Sequence, residues 1–353
     1  MRLVALVALV ACKSSSTPHV ESHAIDPGAS LEIVSEEVSF AAGAEQVPGT
    51  LVHPKQTGRW PGVVLIAGSG PTDRDWNNPL LVGKNGSGKL LAEAIARRGA
   101  VVVRYDKASI GANKTTPSDV TIDTYVGEGR AALALLRARS DVAATKLYVA
   151  GHSEGGLHAI RVALAEGDHI AGLVLLSAAG RSLEDLLLVQ LGAQLRAAMP
   201  AQADAELQSL KKALDEFAAG KEVDPKQVSA IPGIRNLVAA LVAPMNAKVA
   251  RGLIAFDPLP AVAQIAVPVF IYNGKHDLQV DADVDAKNLI AARKGKPTEV
   301  FLAPEADHVL KHEPKAIPEL RANPAATQNG YNDPARALDD ATVSAIVTWL
   351  AKH

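Results

Sequence analysis

The stretch Lys146-Leu-Tyr-Val-Ala-Gly-His-Ser-Glu-Gly-Gly156 decides how this chain folds. Its apolar first half predicts a buried strand, which ends in Gly151-His-Ser-Glu-Gly155 and matches the pattern G-x-S-x-G. Apolar residues at helical spacing from Leu157 to Ala165 predict a helix directly afterwards. A strand, a tight turn and a helix in this order form a nucleophile elbow, in which a serine at the apex projects from the edge of a sheet.

Two glycines flank Ser153 at the positions where side chains would collide in so tight a turn. Gly151 lies two residues before the serine and Gly155 two residues after it. Glu154 begins the predicted helix, where backbone N–H groups lack intrahelical acceptors and the helix dipole favours negative charge. Ser153 is therefore a candidate nucleophile, and the N–H of Glu154 a candidate donor to a developing anion. The alternative is a turn at a strand end with a serine that caps the helix.

Short, continuous apolar runs alternate with helical patterns from Pro61 onward, which predicts a mostly parallel sheet covered by helices on both faces. Two earlier runs, Leu31–Phe40 and Val47–His53, predict a pair of half-exposed strands. We therefore expect an α/β fold with a sheet of about eight strands. The other predicted strands are Gly62–Ala67, Ala100–Tyr105, Lys146–Ala150, Ile170–Ser177, Val267–Asn273 and Thr298–Leu302, and the predicted helices are Lys89–Arg98, Ile122–Arg139, Glu154–Ala165, Ala282–Arg293 and Ala335–His353.

Residues 181–258 interrupt this alternation with a purely helical pattern. Apolar residues recur at helical spacing in Leu183–Met199, Ala203–Ala219 and Arg235–Arg251. Ligands bind at the carboxyl edge of open α/β sheets, so we expect this insertion to form a helical cap over that edge. The sheet and its helices would then comprise residues 31–180 and 259–353. A helical segment packed elsewhere is the alternative.

The composition is that of a globular protein. Hydrophobic residues make up 48% of the chain and charged residues 21%, while the formal net charge is −2. The chain has no long basic run, so we expect no nucleic-acid partner. Its single cysteine excludes an intramolecular disulfide.

Two further motifs are incomplete matches to metal and nucleotide sites. Asp281, Asp283 and Asp285 have the spacing of a calcium loop, but alanines stand at its sixth and twelfth positions. We interpret these acids as a cap and first turn of a helix. The stretch Gly83–Lys89 fits the phosphate-binding pattern G-x-x-x-x-G-K, but Leu90 replaces the Ser or Thr that would hold magnesium. We therefore expect no metal and no cofactor.

The N-terminus has the pattern of an export signal. An apolar run from Leu3 to Ala11 follows Arg2, and Leu9-Val-Ala-Cys12 resembles the lipobox of bacterial lipoproteins. This resemblance implies a signal peptide over residues 1–11, lipidation of Cys12 and a place in the bacterial cell envelope. The polar residues 12–30 predict a flexible tether. The alternatives are a signal peptide cut elsewhere, or an N-terminal strand of an intracellular protein.

A serine hydroxyl becomes a strong nucleophile only when a base takes its proton and an acid orients that base. Asp277 follows the predicted strand Val267–Asn273, and His308 follows the next one, so both side chains are expected near Ser153. His312 is an alternative base, while His152 and His276 are interpreted as structural neighbours. An oxyanion needs two N–H donors. Gly68-Ser-Gly-Pro71 follows another strand and offers Ser69 as the second donor, with Gly70 as the fallback.

Together these residues resemble the α/β-hydrolase superfamily over roughly Leu31 to His353, apart from the insertion. The motifs Gly68-Ser-Gly-Pro-Thr-Asp-Arg-Asp75, Val103-Arg-Tyr-Asp-Lys107 and Gly151-His-Ser-Glu-Gly-Gly156 resemble a bacterial esterase branch related to serine aminopeptidases and dienelactone hydrolases. The resemblance implies an α/β-hydrolase fold and a serine hydrolase that cleaves small carboxylic esters. Ser153 would be the nucleophile, Asp277 the acid and His308 the base. An aminopeptidase-like serine peptidase and a non-catalytic, lipid-anchored binding protein are the alternatives.

Overall fold

The computed structural model describes residues 21–323, 327 and 330–353. Residues 1–11 with the predicted signal, Cys12, and residues 13–20 of the predicted tether lie outside this part of the chain. The strands are β1 (Ile33–Ala42), β2 (Glu45–Pro54), β3 (Trp60–Ile66), β4 (Val101–Tyr105), β5 (Val142–His152), β6 (Gly172–Leu176), β7 (Val269–Gly274) and β8 (Thr298–Ala303). The helices are α1 (Ser87–Arg97), α2 (Ile122–Ala138), α3 (Glu154–Glu166), α4 (Leu183–Ala198), α5 (Ala203–Ala218), α6 (Pro225–Val228), α7 (Pro232–Val242), α8 (Ala247–Ile254), α9 (Pro258–Gln264), α10 (Lys287–Ala292), α11 (Ile317–Ala322) and α12 (Asp340–Lys352).

The described strands form one eight-stranded sheet in the order β1-β2-β4-β3-β5-β6-β7-β8. The first two strands are antiparallel to their neighbours, and the strands from β4 to β8 are parallel. Helices cover both faces because the central strands are apolar on both sides. Helices α2, α3 and α9 pack on one face, and α1 and α12 on the other. The predicted α/β fold with a mostly parallel sheet of about eight strands is confirmed.

This topology brings distant parts of the sequence to one edge of the sheet. Parallel strands end at the same edge, and the loops after β3, β5, β7 and β8 therefore lie together. Those loops contain Gly68, Ser153, Asp277 and His308 respectively.

Residues 183–254 are helical, with α4 to α8 packed around a small apolar core of their own. The predicted single helix Arg235–Arg251 is wrong, because α7 ends at Val242 and α8 begins at Ala247. Pro244 explains the break: a proline pushes the residue before it out of helical conformation, and Ala243 has an extended ψ of 138°. In the described part of the chain no single helix is long and apolar enough to span a membrane; α7 and α8 together pass that test, but they are bent by 104°.

The prediction of a flexible tether is wrong for residues 21–30, which pack against the sheet domain. Ile25 is buried, and the ring of His23 stacks on Trp60 with centroids 4.1 Å apart. Ser22 also pairs with Arg59 as an isolated parallel bridge. The polar composition that suggested a tether concealed one apolar anchor, Ile25, and one aromatic contact.

Candidate active site

Ser153 lies alone between the last residue of β5 and the first residue of α3. Its φ is 54° and its ψ is −123°, a conformation that costs a non-glycine residue about 1–3 kcal/mol. Two backbone hydrogen bonds hold it: the N–H donates to the carbonyl of Leu176 at 2.8 Å, and its carbonyl accepts from Gly156 at 2.9 Å. The sharp turn thus directs the serine side chain away from the sheet.

The flanking glycines are required by close backbone approach. A Cβ on Gly151 would lie 2.2 Å from the carbonyl oxygen of Gly155, and a Cβ on Gly155 would lie 2.5 Å from that of Ala67. Both distances are too short for any side chain. The spacing of glycines in the sequence therefore reflects the geometry of this turn.

Asp277 and His308 meet across the ends of β7 and β8. Asp277 Oδ2 lies 2.7 Å from His308 Nδ1, and both side chains are buried. The other carboxylate oxygen accepts the backbone N–H groups of Gln279 and Val280 at 2.7 and 2.9 Å. Because a carboxylate only accepts, Nδ1 of the imidazole carries the proton, and Nε2 is left with its lone pair.

The other histidines near the site have structural contacts. His152 Nε2 donates to the carbonyl of His308 at 2.8 Å, and burial lowers the pKa of His152 to about 3, so its ring is neutral. His276 Nδ1 lies 2.6 Å from the carbonyl of Glu313. His312, the alternative base, has a half-exposed side chain and lies 3.8 Å from Asp339.

Ser153 and His308 line the same cavity, which has a volume of about 270 Å³. Gly68 and Ser69 form part of its wall, and a Cβ on Gly68 would lie 3.3 Å from Cβ of Ser153. In the described part of the chain no acceptor takes the backbone N–H of Ser69 or of Glu154. Both predicted oxyanion donors therefore have no acceptor among the described residues, and Ser69 lines the cavity of Ser153 while Glu154 follows it in the chain.

A second cavity of about 510 Å³ lies on the other side of the Gly68–Pro71 loop. Gly70, Pro71, Lys107 and Glu154 are among the residues that line it. Helices α4, α7 and α8 contribute only apolar side chains to the wall, among them Leu183, Leu187, Leu241, Val249 and Leu253. The helical insertion therefore lies over the carboxyl edge of the sheet, beside Ser153.

Residues 63–317 match the profile of the alpha/beta hydrolase family, which is well over half of the chain. The chain belongs to this family. The eight-stranded, mostly parallel sheet with helices on both faces is consistent with this family.

The chain is also similar to individual proteins. It is 29% identical over 235 residues to the esterase EstD of Thermotoga maritima, covering 66% of this chain and 50% of that protein, so the match spans half of the relative's length. Two solved structures share the fold at a TM-score of 0.51. One is a proline iminopeptidase from Mycobacterium smegmatis, 15% identical, with coverage of 90% of this chain and 99% of that chain. The other is Est1E from Butyrivibrio proteoclasticus with bound ferulic acid, 17% identical, with coverage of 82% and 96%.

In this alpha/beta hydrolase, two of the motifs identified in the sequence bind each other. The loop after β3 is joined to the end of β4 by ion pairs between Arg74 and Asp106 at 2.9 Å and between Asp75 and Arg104 at 2.8 Å. Lys107 Nζ adds a hydrogen bond to the carbonyl of Gly68 at 2.5 Å. These pairs were not predicted from the sequence, although the opposite charges of the two motifs were a signal for them.

The carboxylates that follow β7 stabilise the local structure through a helix cap and an ion pair. Asp281 caps the turn that follows it by accepting the N–H of Asp283 at 2.8 Å, as predicted for a capping acid. Asp283 and Asp285 lie in the first turn, as predicted, and Asp285 is in addition fully buried and pairs with Arg181 at 2.6 Å. In the described part of the chain no group of His, Cys, Asp or Glu side chains could hold a metal ion.

Proposed function

We propose that this alpha/beta hydrolase cleaves carboxylic esters through an acyl-enzyme, with Ser153 as nucleophile, His308 as base and Asp277 as the acid that orients the base. The observation that carries the proposal is the 2.7 Å contact between Asp277 and His308 in the cavity that His308 shares with Ser153. Family membership and the similarity to an esterase support a hydrolase that acts on esters.

The proposed reaction follows from the protonation state of His308. Nε2 accepts the proton of Ser153 while Oγ attacks the ester carbonyl, and Asp277 stabilises the charged imidazole. The N–H groups of Ser69 and Glu154 stabilise the negative oxygen of the tetrahedral intermediate. His308 then protonates the departing alcohol, and in the second half it activates the water that releases the acid.

The two cavities favour an ester with an apolar acyl chain. The apolar cavity begins at Glu154 and Gly70, next to the acylated serine, and its volume suits a chain of several carbons. The leaving alcohol would occupy the smaller cavity beside His308, which protonates it.

A peptidase that releases N-terminal residues is less consistent with these cavities. Such an enzyme must hold a free amine, which calls for carboxylates near Ser153. In the described part of the chain, no carboxylate from residues 181–258 lines either cavity. The one acidic residue in the two walls, Glu154, is engaged by His158 at 3.3 Å and lies 3.8 Å from Lys107.

Labelling by a fluorophosphonate probe tests the nucleophile. We expect the wild type and the exposed-serine control Ser39→Ala to be labelled and to hydrolyse p-nitrophenyl esters, and Ser153→Ala to do neither. Equal labelling of Ser153→Ala would refute the assignment. A preference for aminoacyl-nitroanilides over p-nitrophenyl esters would favour the peptidase, and ligand binding without any turnover would favour a binding protein.

We also propose that the protein is a lipoprotein of the bacterial cell envelope, anchored through Cys12. The support is the similarity of residues 9–12 to a lipobox. Since residue 21 already belongs to the packed part of the chain, such an anchor would leave eight residues, 13–20, as a spacer. Cys12→Ser should move the protein from the membrane to the soluble fraction, and unchanged fractionation would refute the anchor.

A further inference from the structure

Lys107 is a fully buried lysine at the end of β4. Its side chain is 1% exposed. A buried ammonium is costly unless it is paired and hydrogen-bonded. Its partners are the carbonyl oxygen of Gly68 at 2.5 Å and the carboxylate of Glu154, whose Oε1 lies 3.8 Å from Nζ. The ring of Tyr125 adds a cation–π contact at 5.3 Å.

The bond to Gly68 acts on a particular peptide group. The carbonyl of Gly68 and the N–H of Ser69 belong to the same planar unit, and the described chain contains no cis peptide bond. In a trans peptide the C=O and the N–H point in opposite directions. A donor fixed on the Gly68 oxygen therefore also fixes the direction of the Ser69 N–H. Because that donor carries a positive charge, it polarises the peptide and makes the N–H a stronger donor.

The same ammonium contacts the residue that supplies the other oxyanion donor. The Glu154 carboxylate lies between Lys107 and His158, and the backbone N–H of Glu154 lies at the start of α3 beside Ser153. One buried cation thus contacts the Gly68–Ser69 peptide at its carbonyl oxygen and the residue of the other donor, Glu154, at its side chain.

Other contacts of the loop act further from this peptide. The ion pairs of Arg74 and Asp75 hold residues five and six positions after Ser69. Thr72 Oγ1 donates to the carbonyl of Ser69 at 2.6 Å, which belongs to the next peptide group. Among the described side chains, Lys107 is the one that bonds to the Gly68–Ser69 peptide.

We propose that Lys107 is a positioning residue that orients and polarises the Gly68–Ser69 peptide of the oxyanion hole, an inference that rests on the proposed ester hydrolysis. Its ammonium bonds to the Gly68 carbonyl and not to the substrate oxygen, although the residue also lines the cavity proposed for the acyl chain. Its effect passes through the Ser69 N–H and increases as negative charge develops on the substrate oxygen, so it stabilises the transition state more than the bound ester.

Lys107→Met tests this role, because methionine keeps much of the apolar stem and removes the ammonium. Rates are expressed per active site, counted with the fluorophosphonate probe. We expect kcat for a p-nitrophenyl ester to fall about 10- to 100-fold while KM changes less than about threefold. A trifluoromethyl ketone forms a tetrahedral adduct with a charged oxygen and should lose affinity by the same factor as kcat. The matching methyl carbinol, which forms no adduct, should keep its affinity.

Glu128→Gln is the matched control, since Glu128 is a buried neighbour that accepts from Ala108 and Asn113 and makes no bond to the Gly68 carbonyl. Its kcat per site should stay within about threefold of the wild type. If Lys107→Met yields too little folded protein, Lys107→Gln, which also lacks the charge, is measured by the same criteria.

An unchanged kcat, or equal losses for the ketone and the carbinol, would overturn the role of Lys107 while leaving the proposed function intact. A wild type without ester turnover or probe labelling would instead overturn the proposed function, and the role of Lys107 with it.

Discussion

The two cavities beside Ser153 are built from different kinds of contact, although one loop, Gly68–Pro71, separates them. The smaller cavity is formed by loops at the ends of parallel strands, which hydrogen bonds and ion pairs hold in place. The larger cavity is roofed by α4, α7 and α8, whose contacts with it are almost entirely apolar.

This difference indicates that the smaller cavity fixes the positions of the reacting groups and that the larger cavity sets the preference among esters. Hydrogen bonds have a preferred direction, so the walls of the smaller cavity, here called the polar side, can hold reacting groups within tenths of an ångström. Apolar contacts depend mainly on area and volume, so the walls of the larger cavity, here called the apolar side, can be reshaped without moving those groups. Changes on the polar side should therefore affect kcat for all esters, and changes on the apolar side should alter the preference among them.

The largest expected effect on the polar side is that of Asp277→Asn. The amide can no longer hold the proton on Nδ1 of His308, so the ring favours the tautomer with its proton on Nε2, which cannot accept from Ser153. We expect kcat to fall about 10⁴-fold for short and long esters alike. The measurement is steady-state hydrolysis of p-nitrophenyl acetate and octanoate.

Asp281→Asn is the control, because Asp281 caps the next turn and lies outside both cavity walls. It should leave kcat within about threefold of the wild type. A loss confined to one ester in Asp277→Asn would contradict the division between the two sides.

The elbow at Ser153 could be predicted from the sequence because its cause is local. Gly151 and Gly155 exclude side chains within a five-residue turn, and such a constraint is visible in the sequence itself. Asp277 and His308 could also be predicted from the sequence, because each follows a strand and the order of strands brings their loops together.

The contacts of Lys107, Arg74 and Asp106 could not be predicted in the same way. They join residues 32 and 39 positions apart in the chain, and their partners depend on how the loop after β3 folds back over β4. The break at Pro244 could have been predicted, because the proline itself is visible in the sequence. The prediction of a single helix was wrong there because the helical spacing of apolar residues continues across Pro244, although the helical backbone is interrupted.

Glu128 lies behind the wall of the apolar cavity, where its carboxylate accepts the N–H of Ala108 at 3.1 Å. Burial raises the pKa of Glu128 from its ordinary value of 4.5 to about 7, although Ala108, Asn113 and Lys107 oppose the shift. A carboxyl with a higher pKa in the folded chain binds more protons when folded. The free energy of unfolding therefore falls as the pH rises from about 4.5 to about 7, by about 3 kcal/mol.

Glu128→Gln should remove this loss, so that stability measured by urea unfolding changes less between about pH 5 and about pH 8 than in the wild type. Glu166→Gln is the matched control. Burial raises the pKa of Glu166, but Arg130 and Arg137 outweigh it and lower the pKa overall, so this variant should not flatten the profile. If the free energy of unfolding depended on pH in the same way in the wild type and in Glu128→Gln, a group other than Glu128 would cause that dependence.

His152→Phe tests how firmly the polar side is held. Phenylalanine keeps a ring against Trp76, whose centroid lies 4.6 Å from that of His152, but it removes the bond from Nε2 to the carbonyl of His308. Since Asp277 then orients His308 with less support, we expect kcat to fall about tenfold for all esters, with thermal unfolding as a parallel measurement.

The same substitution at His276 provides the comparison, because its ring also bonds to a carbonyl, that of Glu313, but does not line the cavity. Equal losses in the two variants would mean that the bond to His308 has no special part in aligning the base.

Leu241→Trp should have the smallest effect on overall activity and the clearest effect on selectivity. Leu241 lines the apolar cavity, and a larger ring would occupy space proposed for the acyl chain. We expect kcat/KM for p-nitrophenyl octanoate to fall about fivefold relative to the acetate, while the acetate rate changes less than about twofold. Val189→Trp adds the same ring to an exposed position outside that wall and should leave the ratio unchanged. If Leu241→Trp slowed both esters equally, volume on the apolar side would be altering the position of the reacting groups, and the two sides of the loop would be mechanically coupled rather than independent.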